Sequence, residues 1–437
     1  MKQKYVYQVG AIALTVLLYT TMVWAEVTYS LDQMIDHAIT NSSEIAASQT
    51  NHQVVAAQKD QLQASQYPQA TVSETFLYTD DPVGVFGNKL RKGEFSQSDF
   101  GLNQLNDPDP TGIWWTRLQV QAPIWTGGRV QANKEILHTQ DASIAKEIAT
   151  IETNIRVQVS KMYYQWQSFD EQIAVIDSTI EKLFALERSY ALMDAPTSAT
   201  KTSFLISQAV RISMQAEKQN LQTQRALMIQ RLRIATNLDL SDDLLAGELP
   251  KVGQKMIYDQ PQYKRHDYKV MLAKLEIAEK KLDASSKTNM PALHSFASYN
   301  LYTGTFDTIE GAFDVGATLQ WTFANSSQKH QVKEAKAHIE KLKHMIEAKK
   351  KEIQASQINA VTMHNDSIKQ YALITSAMQK VDQALSVAEK RYKEGTLPLK
   401  DLSQAIQEWT AIASQKIQTQ LQVALTAVQY QYEVGEL

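Results

Sequence analysis

The stretch LQVQAPIWTGGRVQANKE, residues 118–135, changes character halfway. From Leu118 to Ala122 apolar and polar residues alternate, the period of a half-buried strand. Pro123, Trp125, Gly127 and Gly128 follow, and beyond Arg129 the apolar residues recur at helical spacing. A short strand therefore feeds straight into a helix. That helix is long: Ile144, Ile148, Ile151, Ile155, Val159, Met162, Trp166, Phe169, Ile173, Ile176, Ile180 and Leu183 step by threes and fours without a miss. Such spacing makes a coiled-coil-like seam, with one 4-4 stutter at Ile155–Val159. From Gly128 to Met193 is ~65 residues, on the order of 100 Å of helix. Tyr371, Ile374, Met378, Val381, Leu385, Ala388 and Tyr392 repeat the stripe near the other end.

The bulk composition agrees with long helices. The chain has 437 residues but only 15 glycines and 10 prolines, so turns are few. Its formal charge of −3 supplies no basic field for nucleic acid. It contains no cysteine, which excludes disulfides, thiolate metal sites and a lipidated N-terminal cysteine. Lys2 and Lys4 precede an apolar run from Val9 to Val23, and Val23-Trp24-Ala25 offers small residues at the −3 and −1 positions. Residues 1–25 are expected to be a secretory signal peptide, cleaved before Glu26. Without them the chain carries 42 basic and 47 acidic residues, a net of −5. No other apolar run is long enough for a spanning helix, so any membrane crossing falls to strands.

The chain reads as a duplication. LQASQYPQATVS (62–73) and KTNMPALHSFAS (287–298) each end a helix and pass through a proline, Pro68 or Pro291, into a β-like stretch. APIWTGG (122–128) and QWTFANS (320–326) each open a long helix. A break at 187–209 is matched by one at 389–405, before a returning helix. The expected organisation is a first repeat at 26–237 with a β-hairpin at about 70–124, then an irregular connection at 238–262. A second repeat follows at 263–437, with a hairpin at about 292–323.

The strands carry a bilayer signature. Phe313, Val315, Ala317, Leu319 and Trp321 share one face of 312–321, while Asp314, Gly316, Thr318 and Gln320 share the other. Trp114, Leu118, Val120 and Ala122 likewise oppose Arg117, Gln119 and Gln121. The stretches 70–79 and 292–302 alternate less cleanly, Glu74 interrupting the first. An apolar outside, a polar inside and terminal tryptophans suit a strand of an outer-membrane barrel. Four strands cannot close on themselves, so copies of the chain must pool theirs. Pro123, lacking an N–H, is expected to end strand pairing, and Gly127-Gly128 to let the backbone swing into the helix.

Pro68, Pro123-Ile124-Trp125-Thr126-Gly127-Gly128-Arg129, and Arg391-Tyr392-Lys393-Glu394-Gly395 followed by Asp401-Leu402 resemble the TolC family of outer-membrane efflux proteins. The resemblance covers essentially the whole chain after residue 25. It implies a mainly α fold with membrane β: a homotrimer whose twelve-stranded β-barrel continues into a long periplasmic α-helical barrel. It also implies a passive duct sitting in outer-membrane lipid. The duct docks on a periplasmic adaptor (membrane fusion protein) and an inner-membrane transporter of the RND or ABC type. The tunnel tip, Gly395, Thr396 and Leu397 with Asp194 on the other turn, would meet the adaptor. Asp401 and Tyr392 match a gate at the periplasmic constriction, and Gln404 stands where a second gate aspartate would be. The second joint, Trp321 to Ser326, lacks the proline and glycine pair, and the turn from Tyr190 to Thr202 lacks a glycine.

Other chemistries find little support. The nine histidines are scattered, with His330, His338 and His344 at spacings of eight and six rather than four. No nucleophile motif, phosphate loop or HExxH occurs, so neither an enzyme nor a cofactor is expected. The segment 80–112 holds Phe86, Phe95, Phe100 and Leu105 among Asn, Asp and Pro, as a packed cap or a solvated loop. Two rival functions stay open: the exit duct of a type I protein-secretion system, and a periplasmic coiled-coil adaptor without a pore.

Overall fold

A computed structural model of the chain describes residues 29–191, 198–242, 244–305, 308–323 and 325–437. The expected signal peptide at 1–25 and Asp194 lie outside the described residues.

Helix α1 (Leu31–Thr40) begins at a capping box in which Ser30 and Gln33 bond each other's backbone. It is followed by α2 (Ser43–Ala64), β1 (Gln69–Thr79), α3 (Pro82–Arg91), a 3₁₀ turn (Gln97–Phe100), α4 (Leu102–Asn106) and β2 (Thr111–Trp125). Helices α5 (Arg129–Ala191) and α6 (Ser198–Thr236) complete the first half. The second half runs α7 (His266–Ser286), β3 (Ala292–Thr303), β4 (Glu310–Gln320), α8 (Ser326–Lys393) and α9 (Leu399–Val434). Pro68 and Pro291 stand immediately before β1 and β3. Both heptad-like stripes face inward: no member of the Ile144–Leu183 series on α5 or the Tyr371–Tyr392 series on α8 is exposed.

The residues cluster into two compact units, each drawing on both halves of the chain. Among the described residues, one lies within 29–45, 150–265 and 351–437, the other within 46–149 and 266–350. In the first, Met34, Ile35, Ala38, Val159, Trp166, Ile229, Leu232 and Leu240 form a buried core. Among its described residues the 238–262 connection has neither helix nor strand, yet side-chain hydrogen bonds hold it. The Ala246 carbonyl accepts from Tyr163 Oη and Gln167 Nε2, each at 3.0 Å. Asn365 exchanges two bonds with the Met256 backbone, at 2.9 and 2.8 Å. Gln357 does the same with Gln262, at 3.0 and 2.6 Å. A loop with its own backbone groups satisfied in this way is ordered without regular structure. The unit is closed by a buried pair, Arg265 and Glu433, with Ser356 Oγ donating to the same carboxylate at 2.6 Å.

In the second unit the four strands form one antiparallel sheet in the order β1-β2-β3-β4. The two hairpins are thus joined by β2 pairing with β3, from Trp114 opposite Thr303 down to Trp125 opposite Leu293. Pairing does not end at Pro123. It continues to Trp125, with Pro123 opposite His294 and a register shift that leaves Ile124 as the extra residue. A bulge is where a sheet tolerates a residue with no N–H to donate, so proline kinks the ladder here rather than terminating it.

Candidate functional site

The sheet separates its faces sharply. Val72, Phe76 and Tyr78 of β1 pair with Leu118, Trp114 and Gly112 of β2, placing them on one face. Leu118 pairs in turn with Tyr299, and Tyr299 with Phe313. This face is apolar and open: Phe313 is 76% exposed, Val315 75% and Val72 69%. The opposite face is polar and bonded. Arg117 Nε and Trp115 Nε1 both donate to Asn300 Oδ1, at 2.9 and 3.0 Å. Asn300 Nδ2 donates to Asp314 Oδ2 at 2.8 Å, and Ser298 Oγ donates there at 3.2 Å. Glu74 is the one carboxylate on the apolar face of β1, where Thr116 Oγ1 of β2 donates to it. Trp125, Trp321 and Phe323 are exposed at the helix end of the strands, an aromatic edge such as bilayer interfaces favour.

Both joints turn strand into helix, by different chemistry. Gly127 and Gly128 have φ of 66° and 78°, the left-handed region where side chains are strained. A Cβ on Gly127 would also lie 2.5 Å from Met290 Cβ and 2.8 Å from the Pro291 carbonyl. The second joint instead caps its helix: Asn325 Oδ1 accepts from Ser327 N at 3.1 Å, and Asn325 Nδ2 donates to Asn289 Oδ1 at 3.4 Å. An asparagine N-cap, with no glycine, starts this helix.

At the other extreme of the long helices, α8 ends in a Schellman turn. Gly395, at φ 73°, donates to the Tyr392 carbonyl at 3.0 Å, and Thr396 N to that of Arg391 at 2.9 Å. Gly395 and Thr396 are exposed, whereas Leu397 packs with Tyr392 against Leu183, Leu385, Leu402 and Ile406. Of the expected tip residues, then, Leu397 also packs on the fold, its side chain half-buried. Tyr392 Oη lies 2.9 Å from Ser189 Oγ on α5, beside a cleft of about 760 Å³ bordered by Thr200, Ser203 and Pro398. Asp401 and Gln404 share an exposed face of α9 with Glu408, whose Oε1 accepts from Gln404 Nε2 at 3.2 Å. Ser189 and Glu408 were not singled out by sequence. Glu408 was legible, four residues after Gln404 on the same helical face, whereas Ser189 is brought to Tyr392 only by packing.

No family model matches the chain, and no curated protein does. Solved structures do. MtrE from Neisseria gonorrhoeae, an outer-membrane channel in its open state, superposes with a TM-score of 0.72 at 15% identity, over 93% of this chain and 88% of that one. VceC, an outer-membrane protein from Vibrio cholerae, gives 0.69 at 15% identity, over 93% and 96%. The CmeC outer-membrane channel of Campylobacter jejuni gives 0.70 at 15%, over 93% and 85%. The chain has the TolC-family fold.

Each of these superpositions covers 93% of this chain. The departures in sequence at the second joint change how α8 is started. Among the described residues no helix is long and apolar enough to cross a membrane, and no group of three or more His, Asp or Glu is placed to hold a metal ion.

Proposed function

We propose that the chain is the outer-membrane channel of a tripartite efflux system, a passive exit duct assembled as a trimer. One observation carries this reading: a four-stranded sheet with an exposed apolar face and edge strands, β1 and β4, that pair with no further strand among the described residues. Lipid is the environment in which such a face is stable, and no open edge survives there, so strands of neighbouring copies must close the ring. Three copies supply twelve strands, enough for a lumen lined by the Arg117–Asn300–Asp314 face. The long helices continue the duct into the periplasm, where the Gly395–Thr396 turn meets an adaptor linked to an inner-membrane transporter. Asp401, assisted by Gln404 and Tyr392, forms the periplasmic constriction. The mass in mild detergent is expected to be three times that of the mature chain. A monodisperse monomer that conducts ions would rule the trimer out.

A further inference from the structure

The 31 residues from Asp80 to Pro110, between β1 and β2, do not hang free. Asp81 caps α3, its carboxylate accepting from Gly84 N at 2.7 Å. Val85 is 2% exposed, Asn88 1% and Lys92 5%, burial that a solvated loop would not show. Phe95 sits between Phe86 and Phe100, with ring centroids 4.7 and 5.1 Å away. Lys89 Nζ bridges to Asp99 at 2.7 Å, tying α3 to the 3₁₀ turn.

The segment chooses one face of the sheet. Arg91 stacks its guanidinium 6.0 Å from the Trp115 ring centroid and 5.7 Å from that of Tyr302. Trp115 shares the polar face with Arg117, and the Trp115–Tyr302 pairing puts Tyr302 there as well. Ile113, also on that face, is 3% exposed, whereas Tyr78, on the other face at the same end of β1, is 66% exposed. Lys92 Nζ bonds Thr111 Oγ1 at 3.1 Å, the Gly112 carbonyl at 3.3 Å and Glu94 at 2.6 Å. A Cβ on Gly304, past the end of β3, would lie 3.1 Å from that ammonium, and one on Gly93 would lie 3.2 Å from Glu310 of β4. The segment is therefore anchored to β2 and β3 and lies close to β4, on their polar side, at the end remote from the helix joints.

We propose that residues 80–110 are a built-in plug, folded into the barrel lumen at its outer mouth and held there by Arg91 and Lys92. The proposal rests on the trimeric barrel above, in which the polar face lines the lumen and three copies of the plug converge. A solute leaving the duct passes only when the plug swings out. The movement lifts Arg91 from its aromatic pair and Lys92 from Thr111 and Gly112. The plug thus makes a second gate, distinct from the constriction near Asp401.

The absence of native cysteine makes the test clean. Gln119→Cys places a thiol on the polar face, below Arg117 as seen from the mouth. Phe313→Cys places one on the apolar face. Intact cells are treated from outside with a membrane-impermeant polyethylene glycol maleimide. Three backgrounds are compared: the native segment, Arg91→Ala with Lys92→Ala, and residues 82–107 replaced by a short Gly-Ser turn. Thr79 and Thr111 are directly paired, so a hairpin turn can bridge the deletion. The double substitution keeps the full chain should the deletion fail to assemble. Gln119→Cys is expected to label slowly in the native background and faster by about tenfold or more in the loosened ones. Phe313→Cys stays protected in all three. Equal Gln119→Cys rates in all backgrounds, with Phe313→Cys protected, overturn the plug and leave the barrel standing. Labelling of Phe313→Cys overturns the barrel itself, and the plug with it.

Discussion

Gly127 packs against Met290 so closely that a Cβ on the glycine would stand 2.5 Å from the methionine's own Cβ. The contact joins the turn after β2 to the residue before Pro291, so the two halves of the chain meet at the level where strands become helices. With φ at 66°, Gly127 serves two demands at once, backbone conformation and close approach.

Gly127→Val is therefore expected to cost several kcal/mol, since left-handed backbone strain alone is ~1–3 kcal/mol for a side-chain-bearing residue. Asn325→Val loses a helix cap, ~1 kcal/mol. Yields of folded oligomer from outer membranes should fall far more for Gly127→Val. Equal yields would show that the second joint is as constrained as the first.

Tyr392→Phe removes the hydroxyl 2.9 Å from Ser189 Oγ while keeping the ring in its apolar setting. A hydrogen bond of this kind contributes ~1 kcal/mol net. The closed channel should become leakier in planar bilayers, and Ser189→Ala should do the same. The double variant should add little to either single, because both remove one interaction. Fully additive effects would mean that the pair does not act as a latch.

Asp401→Ala should weaken cation selectivity and block by trivalent cations, because carboxylates converging on one axis attract multivalent cations. Glu408, bonded to Gln404 one turn along the same face, makes a second carboxylate available beside Asp401. Asp401→Ala with Glu408→Ala should abolish what the single variant leaves. Selectivity at the wild-type level in both would place the constriction elsewhere.

Glu433→Ala leaves Arg265 buried, with both side chains only 7% exposed in the native pair. Removing one partner of such a pair typically costs ~3–5 kcal/mol. Thermal unfolding should show a large drop in Tm for Glu433→Ala. A Tm unchanged from wild type would mean that solvent reaches the guanidinium.

His364 is 1% exposed, with Nδ1 3.1 Å from Thr426 Oγ1, and burial lowers its pKa below the usual 6.5. The unfolded chain then binds a proton that the folded chain does not, so stability falls as pH drops below about 6.5 and continues to fall toward the folded pKa. Denaturant unfolding at neutral and mildly acidic pH should show a shallower acid loss for His364→Gln than for wild type. Parallel losses would assign the pH dependence to other groups.

What could be read directly from the sequence was whatever repeats locally. The period of two in 312–321 and the threes-and-fours from Ile144 to Leu183 are set by backbone geometry within one element, and both appear in the structure as β4 and α5. Prolines and glycines that punctuate those elements, Pro68, Gly127, Pro291 and Gly395, were legible because each acts on its own backbone. Pro123 departs from its local expectation. Its missing N–H predicts a break, but the partner strand decides whether a bulge absorbs it, and β3 does. Contacts between distant segments were decided by tertiary structure alone. They include β2 joining β3 across the two halves of the chain, Ser189 meeting Tyr392, Asn365 and Gln357 holding the 238–262 connection, and Arg91 choosing the polar face. Each depends on closing a long stretch of chain against its entropy, a cost that only the assembled packing offsets, so no local spacing encodes it.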